Sequence, residues 1–134
     1  MDNNKLTIEI ITPTMTVFKG NADIVTIPGE MSEFQILQNH APIVSALKPG
    51  IIKIKQNNEV TEFAVNGGLA EARGNNVSII ATIAENKGSI DKNIIEKELK
   101  DNKEKILTEI TDAQLLLLEN EIEFQKAQLK LFEK

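Results

Sequence analysis

The chain has 134 residues, a formal net charge of −5 and a hydrophobic fraction of 41%, which fits one domain, or one domain with a small appendage, around a buried core. It contains no cysteine, and this excludes disulfides, thiolate nucleophiles and cysteine metal sites. The acidic balance and the single arginine, Arg73, argue against a nucleic-acid partner, because phosphate neutralisation needs clustered basic residues.

The N-terminal part of the chain has the pattern of short strands. It begins without a basic region followed by an apolar run, and no later stretch approaches the roughly 18 uncharged residues of a membrane span, so we expect a soluble chain that is not exported. From residue 6 to residue 83, apolar residues recur at alternate positions between clusters of Gly, Pro and Asn. The alternating residues are Leu6, Ile8 and Ile10; Val25 and Ile27; Ile52 and Ile54; Phe63 and Val65; and Val77, Ile79, Ala81 and Ile83. Such alternation, with turns at intervals of roughly 8 to 12 residues, is typical of a sandwich or a barrel. The sequence therefore predicts an all-β N-terminal domain.

The sequence changes character near Gly88. Beyond it there is no Gly or Pro, and Lys, Glu, Leu and Ile recur with helical spacing. Thr111 can cap a second helix, and Gln114, three residues later, completes a capping box. Two amphipathic helices with a short connection bury their apolar stripes as an antiparallel hairpin. The predicted stripes are Ile95, Leu99, Ile106 and Ile110, and then Leu115, Leu118, Ile122, Leu129 and Phe132, interrupted by Gln125.

His40 is the only histidine and lies in the stretch GEMSEFQILQNHAPIVSALKPG. It could be a general base, a metal ligand or a structural residue. Metal sites need several ligands, and here only carboxylates could complete the set, while Glu30 and Glu33 have no cleft-forming feature beside them. We interpret His40 as a residue that positions a loop or contacts a partner. Gly67-Gly68 lacks the pattern of a phosphate loop and is interpreted as a hairpin turn or a tight strand crossing.

The hairpin carries two further features. Along Leu115–Leu118 the leucines cover more of the helix circumference than one seam can bury. The hairpin is therefore either a structural cap on the β domain or a two-state element that also reaches into another protein and regulates it. The last helix carries three lysines, spaced four residues apart on one side: Lys126, Lys130 and Lys134. They form either a solvated face or a surface for an acidic partner.

Seven short motifs occur in order along the chain: Phe18-Lys19-Gly20, Phe34–Leu37, His40-Ala41-Pro42, Ala46–Gly50, Gly67–Glu71, Asn76–Ile79 and Ile90-Asp91. In this order they resemble the motifs of the ε subunit of bacterial F-type ATP synthases, the counterpart of the mitochondrial δ subunit. The resemblance covers nearly the whole chain. It implies a β plus α fold, with an N-terminal antiparallel β-sandwich over residues 1–88 and a C-terminal antiparallel two-helix hairpin over residues 89–134.

The resemblance also implies the function. The chain would be a non-catalytic subunit of the rotary central stalk of a proton-translocating synthase, with no cofactor, no metal and no nucleic acid. Its sandwich would contact the γ subunit and the c ring, transmit ring rotation to γ, and meet the membrane only through the ring. The location would be peripheral, at the cytoplasmic face of the bacterial inner membrane. By residue match, the loop of Met31, Ser32, Glu33 and Phe34 faces the c ring, and Thr12 and His40 face γ.

Regulation is implied as well. In the extended state the helices climb along γ into the α/β catalytic head and hinder ATP hydrolysis, and Lys126, Lys130 and Lys134 would pair with acidic residues there. Nucleotide-binding members open the helices with Ile-Asp-x-x-Arg-Ala, but this chain keeps only Ile90-Asp91 of that motif. Because the arginine that would pair with phosphate is missing, Asp91 is the only nucleotide contact that the motif carries over, and no ATP cofactor is assigned. Lys97 or Lys100 would replace the arginine only in part.

Two rival classes remain at this point. A free-standing β-sandwich adaptor with a helical interaction hairpin explains the alternation and the helical spacing, but not the ordered motifs. A small enzyme that uses His40 and nearby carboxylates lacks the convergent groups that a catalytic site requires.

Overall fold

The protein is described here by a computed structural model that covers residues 5–133. Eight strands are followed by a short 3₁₀ turn and two α-helices. The strands are β1 (Leu6–Thr12), β2 (Met15–Ala22), β3 (Ile24–Pro28), β4 (Glu33–Leu37), β5 (Ile43–Gln56), β6 (Glu59–Arg73), β7 (Asn76–Ile80) and β8 (Ala84–Glu85). The 3₁₀ turn is Lys87–Ser89, and the helices are α1 (Lys92–Lys105) and α2 (Asp112–Lys130).

The strands form a sandwich built around two long strands. The strand order is β2-β1-β7-β6-β5-β3-β4, and β8 also pairs with β6. Strands β5 and β6 have 14 and 15 residues and pair with each other along their length. On its other edge β5 joins β3, while β6 joins β8 in its first half and β7 in its second. The predicted antiparallel sandwich is confirmed. One pair departs from it, since β1 and β7 run parallel, and alternation within a strand does not encode the direction of its partner.

The core lies between the two layers and is almost wholly aliphatic. Most side chains that the alternation predicted to face inward are buried, among them Ile8, Ile27 and Ile52 at 0% exposure. The prediction is wrong for Ile83, which follows the end of β7 and is 40% exposed. The rings of Phe18 and Phe63 add an edge-to-face contact with centroids 5.6 Å apart.

Gly68 marks a tight strand crossing. Its φ is +140°, and a Cβ at this position would overlap the carbonyl oxygen of Ile80. Only glycine combines this backbone conformation with so close an approach of two chains. The prediction of a tight crossing rather than a phosphate loop at Gly67-Gly68 is therefore confirmed.

Both helices begin at the residues that cap them. The Asp91 carboxylate accepts hydrogen bonds from the backbone N–H groups of Asn93 at 3.0 Å and Ile94 at 3.4 Å. In α2 the Thr111 hydroxyl accepts from the backbone of Gln114 at 3.1 Å, and the Gln114 side-chain oxygen accepts from the backbone of Thr111 at 2.9 Å. The predicted capping box is thus present, and it satisfies two backbone donors that would otherwise lack partners.

The hairpin lies on the sandwich through its second helix. Helix α2 packs on β5 and β6, and α1 packs on α2. A small apolar cluster joins α2 to the sheet, with Ala64, Ala127 and Leu131 buried at its centre. The predicted apolar stripes form only part of the hairpin seam, because the buried side chains there include Asn102 and Gln125. Gln125, which interrupts the predicted stripe, is therefore part of the interface and not a gap in it.

Candidate interaction surfaces

The loop between β3 and β4 projects its central side chain into solvent. Met31 is 97% exposed, while the backbone N–H of Glu30 donates to the carbonyl of Ala46 at 2.9 Å and holds the loop base against β5. At the other end Phe34 is half-buried and its ring lies against Gly29, where a Cβ would come within 2.8 Å of it. The loop thus presents Met31 on a fixed base. Ser32 and Glu33, the other predicted members of this surface, are also exposed.

Thr12 and His40, predicted to face the same partner, lie at opposite ends of the sandwich. Thr12 ends β1, and its hydroxyl donates to the carbonyl of Met15 at 3.2 Å. His40 follows β4, and the backbone N–H of the preceding Asn39 donates to the side chain of Asn75, in the turn that begins β7 at the far end of β1. At about 3.3 Å per residue, this separates Thr12 from His40 by more than 15 Å along the strands.

His40 is half-buried, and its surroundings are those of a loop residue. Its Nδ1 lies 2.6 Å from the carbonyl oxygen of Ala41 and donates to it, while its backbone N–H donates to Leu37. The ring is thus fixed by a local hydrogen bond. Among residues 5–133, no carboxylate forms a hydrogen bond or ion pair with it. Within the same residues no three His, Asp or Glu side chains come together in a way that could hold a metal ion.

A row of apolar side chains crosses the outward face of the sheet. The pairing register places Ala46 beside Leu69, Leu69 beside Ile80, and Ile80 beside Ile11, so the row spans β5, β6, β7 and β1. Leu69 and Ile80 are 41% and 54% exposed. With Val44, which is 65% exposed two residues along β5, these residues are called the outer apolar row. Outward faces of antiparallel sheets are normally polar, so the row marks a candidate docking surface.

Strand alternation alone had not pointed to the outer apolar row. Its signal in the sequence is the pair of adjacent isoleucines Ile10-Ile11, repeated as Ile79-Ile80. In a strand, two consecutive side chains point to opposite faces, so each doublet supplies one residue to the core and one to the surface. Ile10 and Ile79 are indeed buried at 0% exposure.

The lysines of α2 line a groove between that helix and the sandwich. Lys126 and Lys130 share this open groove, of about 300 Å³, with Glu33 at the start of β4 and with Lys48 on β5. Lys126 also lies 3.4 Å from Glu123, and both side chains are more than half exposed. The structure thus brings Glu33, predicted to face the c ring, to the same surface as two of the predicted helix lysines, Lys126 and Lys130. Lys134, the third lysine of the predicted row, lies outside the described residues.

Asp91, the only candidate nucleotide contact, already has a structural role. One of its carboxylate oxygens accepts both backbone hydrogen bonds at the start of α1. The two lysines nearest the base of the hairpin, Lys87 and Lys92, lie over the Phe132 ring at 5.6 and 5.9 Å from its centroid. These contacts make the three residues parts of the hairpin base.

The fold and these surfaces define a class of protein: a β-sandwich with a helical hairpin and exposed surfaces suited to protein partners. Residues 5–87 match the family model described as the β-sandwich domain of the ATP synthase delta/epsilon chain. The ATP synthase epsilon chain of Brevibacillus brevis is 38% identical over 107 residues, covering 79% of this chain and 80% of the relative. That of Leptospira interrogans is 35% identical over 99 residues, covering 74% and 78%. The chain therefore belongs to the ATP synthase delta/epsilon chain family, as its motifs predicted.

Solved structures share the fold. A chain in the structure of the Euglena gracilis mitochondrial ATP synthase, OSCP/F1/c-ring, superposes with a TM-score of 0.82 at 19% identity, over 92% of this chain and 79% of that one. A chain in the central stalk and c ring of the Tetrahymena thermophila mitochondrial ATP synthase gives 0.61 at 18% identity, over 98% and 96%. Neither helix of the described chain has the length and hydropathy of a membrane span.

Proposed function

We propose that the chain is the non-catalytic epsilon subunit of the central stalk of a proton-translocating ATP synthase. Its family supports this assignment, and so does its fold, which recurs in structures titled as F1 with c ring and as central stalk with c ring. The subunit couples rotation of the c ring to γ. Its place is peripheral, at the cytoplasmic face of the bacterial inner membrane, where it meets the bilayer only through the ring.

The outer apolar row is the observation that carries this proposal. An isolated subunit would leave Leu69, Ile80 and Val44 in water at 41% to 65% exposure. Full burial of an exposed side chain of this kind contributes roughly 1.5 to 3 kcal/mol, so covering these half-exposed ones contributes about half of that each. A permanent partner on this face removes that exposure, and the partner we assign is γ. Thr12 directly follows Ile11 and so lies at the margin of the row. His40 lies at the opposite end of the sandwich, and its assignment to γ rests on the match to the family motif alone.

The β3–β4 loop is assigned to the c ring. Met31 extends fully into solvent, and Glu33 beside it supplies a carboxylate. An exposed apolar side chain next to a charge suits a surface that must follow a rotating partner, because the apolar side chain contributes affinity and the charge contributes orientation.

The hairpin is assigned to regulation of ATP hydrolysis. Its apolar contact with the sandwich is the small cluster around Ala127 and Leu131, while Leu107, Leu116 and Leu117 are 85%, 61% and 70% exposed. In an extended state these leucines pack on γ, and Lys126, Lys130 and Lys134 meet acidic residues of the catalytic head. We take residues 1–88 and 89–134 as the two functional units.

The test measures ATP hydrolysis by the synthase head without the chain, with the full chain, and with residues 1–88. We expect both forms to bind γ and only the full chain to inhibit. Ile80→Glu should weaken γ binding by tenfold or more, since it places a charge in an apolar interface, whereas Val60→Glu, at a similarly exposed valine outside the row (57%), should leave it unchanged. Equal inhibition by both forms would overturn the regulatory role. Failure of both to bind would favour a free-standing adaptor.

A further inference from the structure

Three amide side chains are buried where the hairpin meets itself and the sandwich. Asn102 on α1 is 5% exposed, and Gln125 and Gln128 on α2 are 2% and 5% exposed. Amides are mostly found at protein surfaces, because burial removes them from water at a cost unless each finds a partner. Three of them in so small an interface therefore need an explanation.

Each amide has a specific partner. The side-chain nitrogen of Asn102 donates to the side-chain oxygen of Gln125 at 3.1 Å, which joins α1 to α2. The side-chain nitrogen of Gln128 donates to a Glu85 carboxylate oxygen at 2.8 Å, which joins α2 to β8. Gln125 and Gln128 are three residues apart and so lie on one side of α2. We call these two hydrogen bonds the polar latch.

The polar latch differs from an apolar seam in two physical respects. An amide buried without its partner is strongly unfavourable, so only the alignment that pairs Asn102 with Gln125 is stable, as a buried Asn sets the register of a coiled coil. Once the helices separate, the same groups regain hydrogen bonds to water, so their release costs less than the release of leucines. The latch thus favours one compact arrangement and also permits its opening.

We propose that the polar latch fixes the register of the compact hairpin and keeps the hairpin detachable. That detachment serves regulation depends on the regulatory role proposed above. The latch itself is inferred only from the two hydrogen bonds and the burial of the amides. Apolar contacts at the base of the hairpin, around Leu131, hold the helices against the sheet, and the latch determines how they are aligned.

The first test exchanges the partners of the Gln128–Glu85 bond in the full chain. Gln128→Glu faces one carboxylate with another, and hydrogen exchange of the α2 amides should become at least tenfold faster. Adding Glu85→Gln restores a donor opposite an acceptor and should return exchange to within about threefold of the wild type. Asn120→Asp makes the same charge change at an exposed α2 residue and should leave exchange unchanged. A double variant that exchanges as fast as Gln128→Glu alone would overturn the latch.

The second test replaces the Asn102–Gln125 pair. Asn102→Leu and Gln125→Leu each leave one buried amide unpaired, so each should speed exchange of the α1 and α2 amides by about tenfold or more. The double Leu variant should exchange more slowly than the wild type, because two facing leucines form an apolar seam. Exchange in the double variant as fast as the two single effects combined would contradict the proposal.

The double Leu variant also separates the latch from the regulatory function. With the hairpin held compact, it should bind the synthase head as tightly as the wild type and fail to inhibit ATP hydrolysis. Inhibition equal to that of the wild type, despite slower exchange, would show that detachment of the latch is not needed. If the wild type itself does not inhibit, the regulatory role fails, and the exchange measurements still decide whether the latch exists.

Discussion

Asp23 joins three parts of the sandwich that are distant in sequence. Its carboxylate accepts a hydrogen bond from Lys5 at 2.8 Å and one from the backbone N–H of Asn57 at 2.7 Å. These contacts tie the start of β1 and the β5–β6 turn to the start of β3. The hydrogen bond from Lys5 first, and that from Asn57 second, lower the pKa of Asp23 below its ordinary value of 3.8, because both favour the charged carboxylate.

This lowered pKa predicts the sign of the pH dependence. The folded state binds the Asp23 proton more weakly than the unfolded state, so the stabilisation is complete well above pH 3.8 and is lost as the pH falls below that value. Asp23→Asn should therefore lower the free energy of unfolding at neutral pH and flatten its decline in acid. Urea denaturation across this range measures both effects, with Glu59→Gln as an exposed control. Curves for Asp23→Asn and the wild type that stay parallel below pH 3.8 would exclude this role.

At the scale of single residues, the sequence predicted inward-facing side chains better than surfaces. Alternation identified Ile8, Ile27 and Ile52 correctly, since a strand with one buried face repeats every two residues. It did not identify Asp23, whose partners come from residues 18 and 34 positions away. Nor did it separate Thr12 from His40, because only the parallel pairing of β1 with β7 sets their distance.

At the scale of elements, the capping box of α2 carries a direct prediction. Thr111→Ala removes the oxygen that accepts the Gln114 backbone N–H, so the first turn of α2 should lose about 1 kcal/mol of stability. Hydrogen exchange of the amides at the start of α2 should then be about fivefold faster. Thr111→Ser keeps the oxygen and should behave like the wild type. Equal exchange rates in all three proteins would show that the helix begins independently of the cap.

Both helices and the capping box could be predicted because their signals are local, within a few residues of each helix terminus. The seam between the helices could not. Gln125 interrupts an apolar stripe when α2 is considered alone, and its partner Asn102 lies 23 residues earlier. Only the alignment of one helix against the other reveals that the polar residues face each other.

At the scale of the whole molecule, the strand order lay beyond the sequence pattern. Strand β6 changes its neighbour from β8 to β7, and its length alone does not say where. The order of the motifs along the chain supplied what the pattern did not, since it led to the family and through the family to the fold. The hydrophobic pattern and the family match both divide the chain near Gly88, into a sandwich and a hairpin. The main core cluster contains side chains of the sandwich only, whereas the hairpin contributes to a separate small cluster with Ala64.

This division predicts that residues 1–88 fold without the hairpin. Removing the helices uncovers mainly Ala64 and the half-buried Ile51, so the free energy of unfolding should fall by about 2 kcal/mol while unfolding stays cooperative. Urea denaturation followed by circular dichroism is suitable, since the chain has no Trp or Tyr for fluorescence. Adding the hairpin back as a separate peptide, residues 89–134, should recover part of the loss. A truncated chain without a cooperative transition would mean that the helices are required for the sandwich to fold, and a hairpin that leaves the sandwich during regulation would then be physically untenable.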